Sequence, residues 1–223
     1  MWQAQVFTLY PEVFPGPLSK GLYGKALSKK LWNLNIVNIR DAAEDKYKTV
    51  DDTPYGGGSG MLLKPDVLAK SLDQNEIKGG RIIYLSPKGK KFDQNYAQEL
   101  SDEKSISLIC GHFEGVDERV LTTRNIEEIS IGDYVLSGGE LAAAVLTDSI
   151  VRLIPGALNN ETSALTDSFQ DNLLAPPVYT RPANYKGWEV PEILTSGNLK
   201  AIEEWRHEQS LIRTQQKRPN LLD

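Results

Sequence analysis

The chain has 223 residues, 40% of them hydrophobic and 25% charged, which excludes wholesale disorder and predicts a soluble globular protein. At about 150 residues per domain, this length predicts one full domain and a smaller second one, enough to bury a core without staples. Lys plus Arg is 25 against 30 Asp plus Glu, a net charge of −5, which argues against non-specific coating of nucleic acid but leaves room for a local basic face.

A single cysteine, Cys110, excludes an intrachain disulfide and fits a reducing compartment. With only His112 and His207 beside it, the ligands for a structural zinc site are too few.

The first residues, MWQAQVFTLYPEVFPG, lack a basic start and a long apolar stretch and carry Pro11 and Pro15, so they do not read as a signal peptide. Strands are predicted at Ala4–Leu9, Leu34–Ile39, Arg81–Leu85, Ile106–Cys110 and Glu127–Ile131, where β-branched runs are short. Helical periodicity falls near 19–32, 65–73, 93–102 and 138–153. Strands separated by helices imply crossovers and a mostly parallel α/β sheet.

The most apolar region, 134–158, is broken by Glu140, Asp148 and Arg152, so no segment reaches the roughly 20 apolar residues of a membrane span. The expected location is the cytoplasm, with no membrane contact. After Pro155-Gly156 the pattern changes. Residues 157–172 are polar and aperiodic, as in a linker. Four prolines (Pro176, Pro177, Pro182 and Pro191) follow within 175–192. A last amphipathic helix is predicted from Leu199 to about Gln216, with Ile202, Trp205 and Ile212 on its apolar side.

Several predicted strands end in glycine- or proline-containing loops, and ligands of open α/β sheets bind at the carboxyl ends of strands. These loops are Ser86-Pro87-Lys88-Gly89, Gly111-His112-Phe113-Glu114-Gly115 and Ser137-Gly138-Gly139. A fourth, Asp51–Met61, has four glycines in five positions, which suits either an anion-binding nest or a flexible loop. It lacks the Gly-Lys-Ser/Thr of a P-loop. Glu114 could bind an amine or a cation, or sit solvated in its loop. Arg152 lies four residues after Asp148 and could form an ordinary helical ion pair or stabilise anionic charge in a transition state. Asp167, three residues before Gln170, suits a capping box or a general base.

Charge is unevenly placed. Residues 20–48 carry seven basic side chains against three acids, whereas 99–140 carries ten acids against three bases. Arg206, Arg213, Lys217 and Arg218 cluster near the C-terminus. Such segregation is compatible with solvated surface or with one face that follows a phosphate backbone.

Taken together, the motifs resemble one family, the bacterial tRNA (guanine-N1)-methyltransferases of the SPOUT superfamily. The matching runs are Asp51–Met61, Tyr84–Pro87, Ile109–Arg119, Gly132–Glu140, Arg152–Gly156, Asp167–Phe169, Tyr179–Pro182, Val190–Leu194, Ser196–Asn198, Arg213-Thr214 and Arg218-Pro219, in order over almost the whole chain. The resemblance implies an α/β fold. Residues 1–156 would form a trefoil-knotted, S-adenosylmethionine-binding catalytic domain on a parallel sheet. A linker, 157–172, would lead to a small α-helical tRNA-binding domain, 173–223.

By the same resemblance, the cofactor site comprises Tyr84, Leu85, Ser86, Pro87, Gly111, Glu114, Ile131, Gly132, Asp133, Tyr134, Val135, Leu136, Gly138 and Gly139. Asp167 is the general base and Arg152 assists at the guanine O6. Asp51, Gly57, Gly58, Arg213, Lys217 and Arg218 are the candidate RNA contacts. The methyl group would pass to N1 of guanosine 37, immediately 3′ of the tRNA anticodon. The resemblance further implies a homodimer whose active site lies at the subunit interface. It allows a role for Mg2+, although no metal ligand set is readable in the sequence.

The implied roles are chemically coherent. N1 of neutral guanine carries a proton, and removing it shifts negative charge towards O6. A carboxylate, with a reference pKa of about 3.9, is a weak base in water and must be positioned to act. A nearby arginine stabilises the O6 charge. Tyr47, His112-Phe113, Ala142 and Leu199 depart from the family pattern without removing a proposed catalytic group. Two alternatives stay open: a SPOUT enzyme with another RNA target, since fold does not set substrate, and an RNA-binding protein without catalysis.

Overall fold

The computed structural model describes residues 1–75, 80–158 and 167–222, and the chain divides into two compact units, Met1–Asn159 and Asn160–Asp223. In the first unit, β1 (Trp2–Thr8), α1 (Gly21–Ser28) and β2 (Trp32–Asn38) are followed by a short antiparallel pair, β3 (Asp51–Asp52) and β4 (Leu62–Leu63). Then come α2 (Pro65–Asn75), β5 (Arg81–Lys91), α3 (Gln94–Ser101), β6 (Ser105–Cys110), α4 (Glu118–Thr123), β7 (Glu127–Ser130) and α5 (Glu140–Val151).

Among the described residues the central sheet has five strands in the order β2-β1-β6-β5-β7, every neighbouring pair parallel. Its central strands β1 and β6 are buried on both faces, as expected within a parallel sheet, whereas the edge strand β2 exposes Asn33 and Asn35. The period-2 alternation of side chains sorts them into two cores. Trp2, Ala4 and Val6 of β1, Ile83 and Leu85 of β5, and Ile106 and Leu108 of β6 pack with α5 residues such as Leu146 and Ile150. Their alternate neighbours Phe7, Tyr84 and Ile109 pack instead with Val67 and Leu68 of α2 and Val120 of α4.

Strand β5 runs six residues beyond the predicted Leu85. Its pairing with β7 breaks there: Leu85 and Lys90 both face Ile129, so Ser86–Gly89 form an excursion from the ladder. Gly89 makes the return possible, since a Cβ on it would lie 2.3 Å from the Glu128 carbonyl carbon. The excursion stands at the carboxyl end of the sheet, beside the loops that follow β6 and β7.

In the second unit, a two-residue antiparallel pair, β8 (Asn184–Tyr185) and β9 (Trp188–Glu189), precedes α6 (Leu199–Lys217), whose N-cap Asn198 accepts from Ala201 N. Helix α6 differs from its predicted packing. Ile212 is 40% exposed, and the buried positions are Ser210 and Thr214. The reason is a polar anchor: Thr214 Oγ1 donates to the Ser210 carbonyl at 2.7 Å and accepts from Leu174 N at 2.9 Å, pinning the preceding segment to the helix. No described helix is long and apolar enough to cross a membrane.

Candidate active site

Loops after β5, β6 and β7 gather around a cleft of about 240 Å³ in the first unit. That approaches the roughly 300 Å³ at which small-molecule sites begin. Of the fourteen expected cofactor-binding residues, all but Asp133 line it. Asp133 lies outside the lining, highly exposed, with its carboxylate 3.6 Å from Lys91 Nζ. Lys88, His112, Phe113, Ser137 and Ala142 also line the cleft. All but Ala142 occur in or beside loops that the strand ends had already marked.

Glycine shapes this cleft by close approach. A Cβ on Gly111 would lie 2.6 Å from the Tyr84 ring, and one on Gly139 would lie 2.6 Å from the Cys110 Cα. Tyr84 is buried, which pushes its phenol pKa up, and its ring runs beneath the Gly111–Gly115 loop. The close approach at these two glycines leaves no room for a side chain on this wall of the cleft.

A buried polar network backs the cleft, and the sequence reading does not contain it. Glu140, at the first turn of α5, accepts from Thr8 Oγ1 at 2.5 Å and from His112 Nε2 at 2.8 Å. The carboxylate acceptor assigns the ring proton to Nε2. Tyr10 N donates to Thr8 Oγ1 at 2.9 Å, and the Tyr10 ring meets His112 edge-on at 4.8 Å, which closes the circuit. A Cβ on Gly138 would meet both His112 and Glu140 within 2.6 Å, so the turn rests directly on this network. Burial, and then the Glu140 charge, push the Cys110 thiol well above its ordinary pKa, so Cys110 is a packing residue rather than a nucleophile.

The glycine-rich loop is the tip between β3 and β4. Gly56, Gly57, Gly58 and Gly60 all have positive φ. The loop is latched to the cleft: Glu114 N donates to the Met61 carbonyl at 2.8 Å and Leu63 N to the Gly115 carbonyl at 3.0 Å. Glu114 also packs against Gly60, where a Cβ would lie 2.4 Å from Oε1. Asp51, Gly57 and Gly58 thus sit on an element tied to the cofactor-loop candidates, with Gly57 and Gly58 exposed.

Arg152 caps the C-terminus of α5 and is half-buried. Burial raises the pKa of Asp148, and the Arg152 charge partly offsets this, the signature of the ordinary helical pair. Asp167 belongs to the second unit and is half-buried. Among the described residues no α-helix starts at Asp167: the chain enters a 3-10 turn over Gln170–Asn172, with Phe169, Asp171 and Asn172 at positive φ. Short-range bonds fold this loop on itself, Phe169 N to the Leu173 carbonyl and Ala175 N to Ser168 Oγ.

The C-terminal basic residues differ among themselves. Arg213 Nη1 donates to the Ala175 carbonyl at 3.2 Å. Arg218 Nε donates to Asn220 Oδ1 at 3.3 Å and its guanidinium lies over the Phe169 ring. Lys217 is exposed. Among the described residues no three His, Cys, Asp or Glu side chains gather to hold a metal ion.

Comparison with known proteins gives the family. Residues 2–223 match the family described as tRNA (Guanine-1)-methyltransferase TrmD. A Pelagibacter ubique protein named tRNA (guanine-N(1)-)-methyltransferase is 65% identical over 221 residues, covering 99% of this chain and 97% of that protein. Proteins of the same name from Bartonella tribocorum and Rhizobium etli are 53% and 49% identical, with 99% and 100% of this chain covered and 94% and 96% of theirs. The chain belongs to the tRNA (guanine-1)-methyltransferase family, of the SPOUT class that its motifs resemble.

Proposed function

We propose that this protein transfers a methyl group from S-adenosylmethionine to N1 of guanosine 37 in tRNA. The observation that carries the reading is the cleft at the carboxyl end of the parallel sheet, where thirteen of the fourteen expected cofactor-binding residues meet. Its construction suits the cofactor. Leu85, Ile131, Leu136 and Ala142 offer apolar surface for an adenine, Glu114 offers negative charge at the rim for an amine, and glycines leave backbone groups bare. When bound, S-adenosylmethionine supplies a methyl group made electrophilic by positive sulfur.

The chain's own groups do the rest. Asp167 accepts the N1 proton of the guanine, which leaves N1 nucleophilic toward the methyl group that S-adenosylmethionine would supply. Arg152 holds the negative charge that develops at O6. Asp51, Gly57, Gly58, Arg213, Lys217 and Arg218 contact the tRNA.

The reading also includes a cytoplasmic homodimer in which Arg152 and Asp167 of one active site come from different subunits. Exposed apolar residues beside the cleft support a second copy there: Val135 is 83% exposed, and Leu141 and Val145, four apart on one face of α5, are 60% and 49% exposed. Residues 1–156 form the catalytic domain with its loops in a trefoil knot, 157–172 the linker, and 173–223 the tRNA-binding domain. The two compact units support this division. Within the linker, 159–166 lie outside the described residues.

Methyl transfer to paired tRNA transcripts, one with guanosine and one with adenosine at position 37, tests the substrate. Activity confined to the first is expected, and equal activity on both overturns the assignment. Sedimentation with and without cofactor tests the dimer.

A further inference from the structure

The second unit holds a cavity of about 540 Å³ that none of the roles above uses. It is formed between the extended segment at 177–183 and the start of α6. Its apolar walls include Pro177, Val190, Leu194 and Ile202, and its polar lining includes Tyr179, Arg181 and Arg206. Two guanidinium groups line it and no carboxylate does, so the cavity is locally cationic in a chain whose net charge is −5.

The two arginines are also exceptional within the chain. Of its nine arginines, seven engage another group of the protein: Arg40, Arg81, Arg119, Arg124, Arg152, Arg213 and Arg218. Arg181 and Arg206 make no hydrogen bond or ion pair among the described residues. Solvated arginines are ordinary on a surface, but these two, alone in lacking a partner among the described residues, line one cavity beside an aromatic ring that is 49% exposed.

We propose that this cavity binds one unstacked nucleotide of the tRNA, with its base against Tyr179 and the apolar wall and its phosphates on Arg181 and Arg206. The proposal rests on the tRNA reading above and deepens it. An inorganic anion would need the guanidinium groups but not the apolar wall, and an apolar peptide would need the wall but not the charge. A nucleotide needs both, and single-stranded RNA is read in this way, by stacking on aromatic or guanidinium planes with cationic contacts to phosphate. Arg213 and Arg218 already give a donor each to the chain itself, so Arg181 and Arg206 are the better-prepared phosphate ligands of this unit.

Equilibrium binding of full-length protein to tRNA across a salt series separates the two parts of the site. Replacing Arg181 and Arg206 together by Ala weakens binding at least tenfold. It also makes the slope of log affinity against log salt shallower by about 1.4, on the order of 0.7 for each phosphate that is no longer neutralised. Tyr179→Ala weakens binding about five- to hundredfold with the slope unchanged, as expected for a stacking contact, and Tyr179→Phe binds as wild type. Replacing both arginines by Lys restores the slope. Cofactor affinity, measured by calorimetry, stays at the wild-type value throughout. Wild-type tRNA affinity and slope in the double alanine variant overturn the cavity assignment, provided the wild-type protein methylates tRNA in the same assay. If the wild-type protein fails to methylate tRNA, the enzymatic reading itself falls.

Discussion

Glu140 holds His112 against the back of the candidate cleft through a hydrogen bond of 2.8 Å, with both side chains largely removed from solvent. The same carboxylate receives the Thr8 hydroxyl, so one side chain ties the end of β1, the loop after β6 and the start of α5. Truncating it leaves two buried donors unmet, at a cost of about 1–3 kcal/mol each. Glu140→Ala is expected to lower stability in urea unfolding by about 2–6 kcal/mol, the sum over the two donors. It should also weaken S-adenosylmethionine binding, because the Gly138 turn loses its support. Glu140→Gln, which keeps an acceptor for Thr8, is expected to lose less of both. Unchanged cofactor affinity in Glu140→Ala would show that the turn holds itself.

Gly139 and Gly57 separate steric from conformational demands on glycine. Gly139 sits at an ordinary helical φ of −80°, but an added Cβ would lie 2.6 Å from the Cys110 Cα, with only backbone to give way. Gly57 has a φ of +78° and open space around it. Gly139→Ala is therefore expected to abolish cofactor binding by displacing the cleft wall. Gly57→Ala should cost about 1–2 kcal/mol of local strain and leave cofactor affinity within twofold. Calorimetric titration of both variants with S-adenosylmethionine measures the contrast, and similar affinities in the two would refute it.

The parallel sheet is legible in the sequence because β1, β5 and β6 carry short apolar and β-branched runs separated by helical patterns, and the main helices because their apolar residues recur at helical spacing. Helix α4 is not legible: it has six residues, and its N-cap Asp117 is its main local signal. The Ser86–Gly89 excursion hides the continuity of β5, since Ser-Pro-Lys-Gly reads as a loop and only the partner strand shows that pairing resumes.

The cleft is partly legible, because parallel strands must deliver their following loops to one end. Its supporting network is not, because Thr8 and Glu140 are 132 residues apart and only the fold brings them together. The roles of Arg152 and Asp167 come from family resemblance. Periodicity and spacing allow those roles without selecting them over a helical ion pair or a cap.

Arg81 anchors the opposite end of β5. Its guanidinium donates to both carboxylate oxygens of Glu127, at 2.7 and 2.5 Å, and also pairs with Glu99. The hydrogen bond from Arg81 is the main reason that the Glu127 pKa lies below its usual 4.5, with burial opposing and the Tyr96 hydroxyl adding to the effect. A carboxylate with a depressed folded pKa contributes stability that is present in full above its unfolded value and is lost as pH falls through the folded one. Glu127→Gln is therefore expected to lower the melting temperature near neutral pH. Its deficit should narrow as the pH falls below 4.5, where wild type loses the same contribution. A deficit that stays constant with pH would show that the pair acts by packing alone.

Asp167 offers the sharpest test of the proposed chemistry. Its segment is fixed by bonds that do not involve its carboxylate, Phe169 N to Leu173 O, Ala175 N to Ser168 Oγ and Leu174 N to Thr214 Oγ1, so the loop has its own supports. If the carboxylate takes the N1 proton, Asp167→Ala and Asp167→Asn should both lower single-turnover methyl transfer by about 10²–10⁴-fold, the usual range for a general base. Cofactor affinity should stay within about twofold, because the candidate cleft is lined by other residues. The isosteric Asn variant is decisive. It preserves the shape and much of the hydrogen bonding of Asp but cannot accept the proton, so near-normal turnover in Asp167→Asn would assign the residue a structural role in its loop and move the search for the base elsewhere.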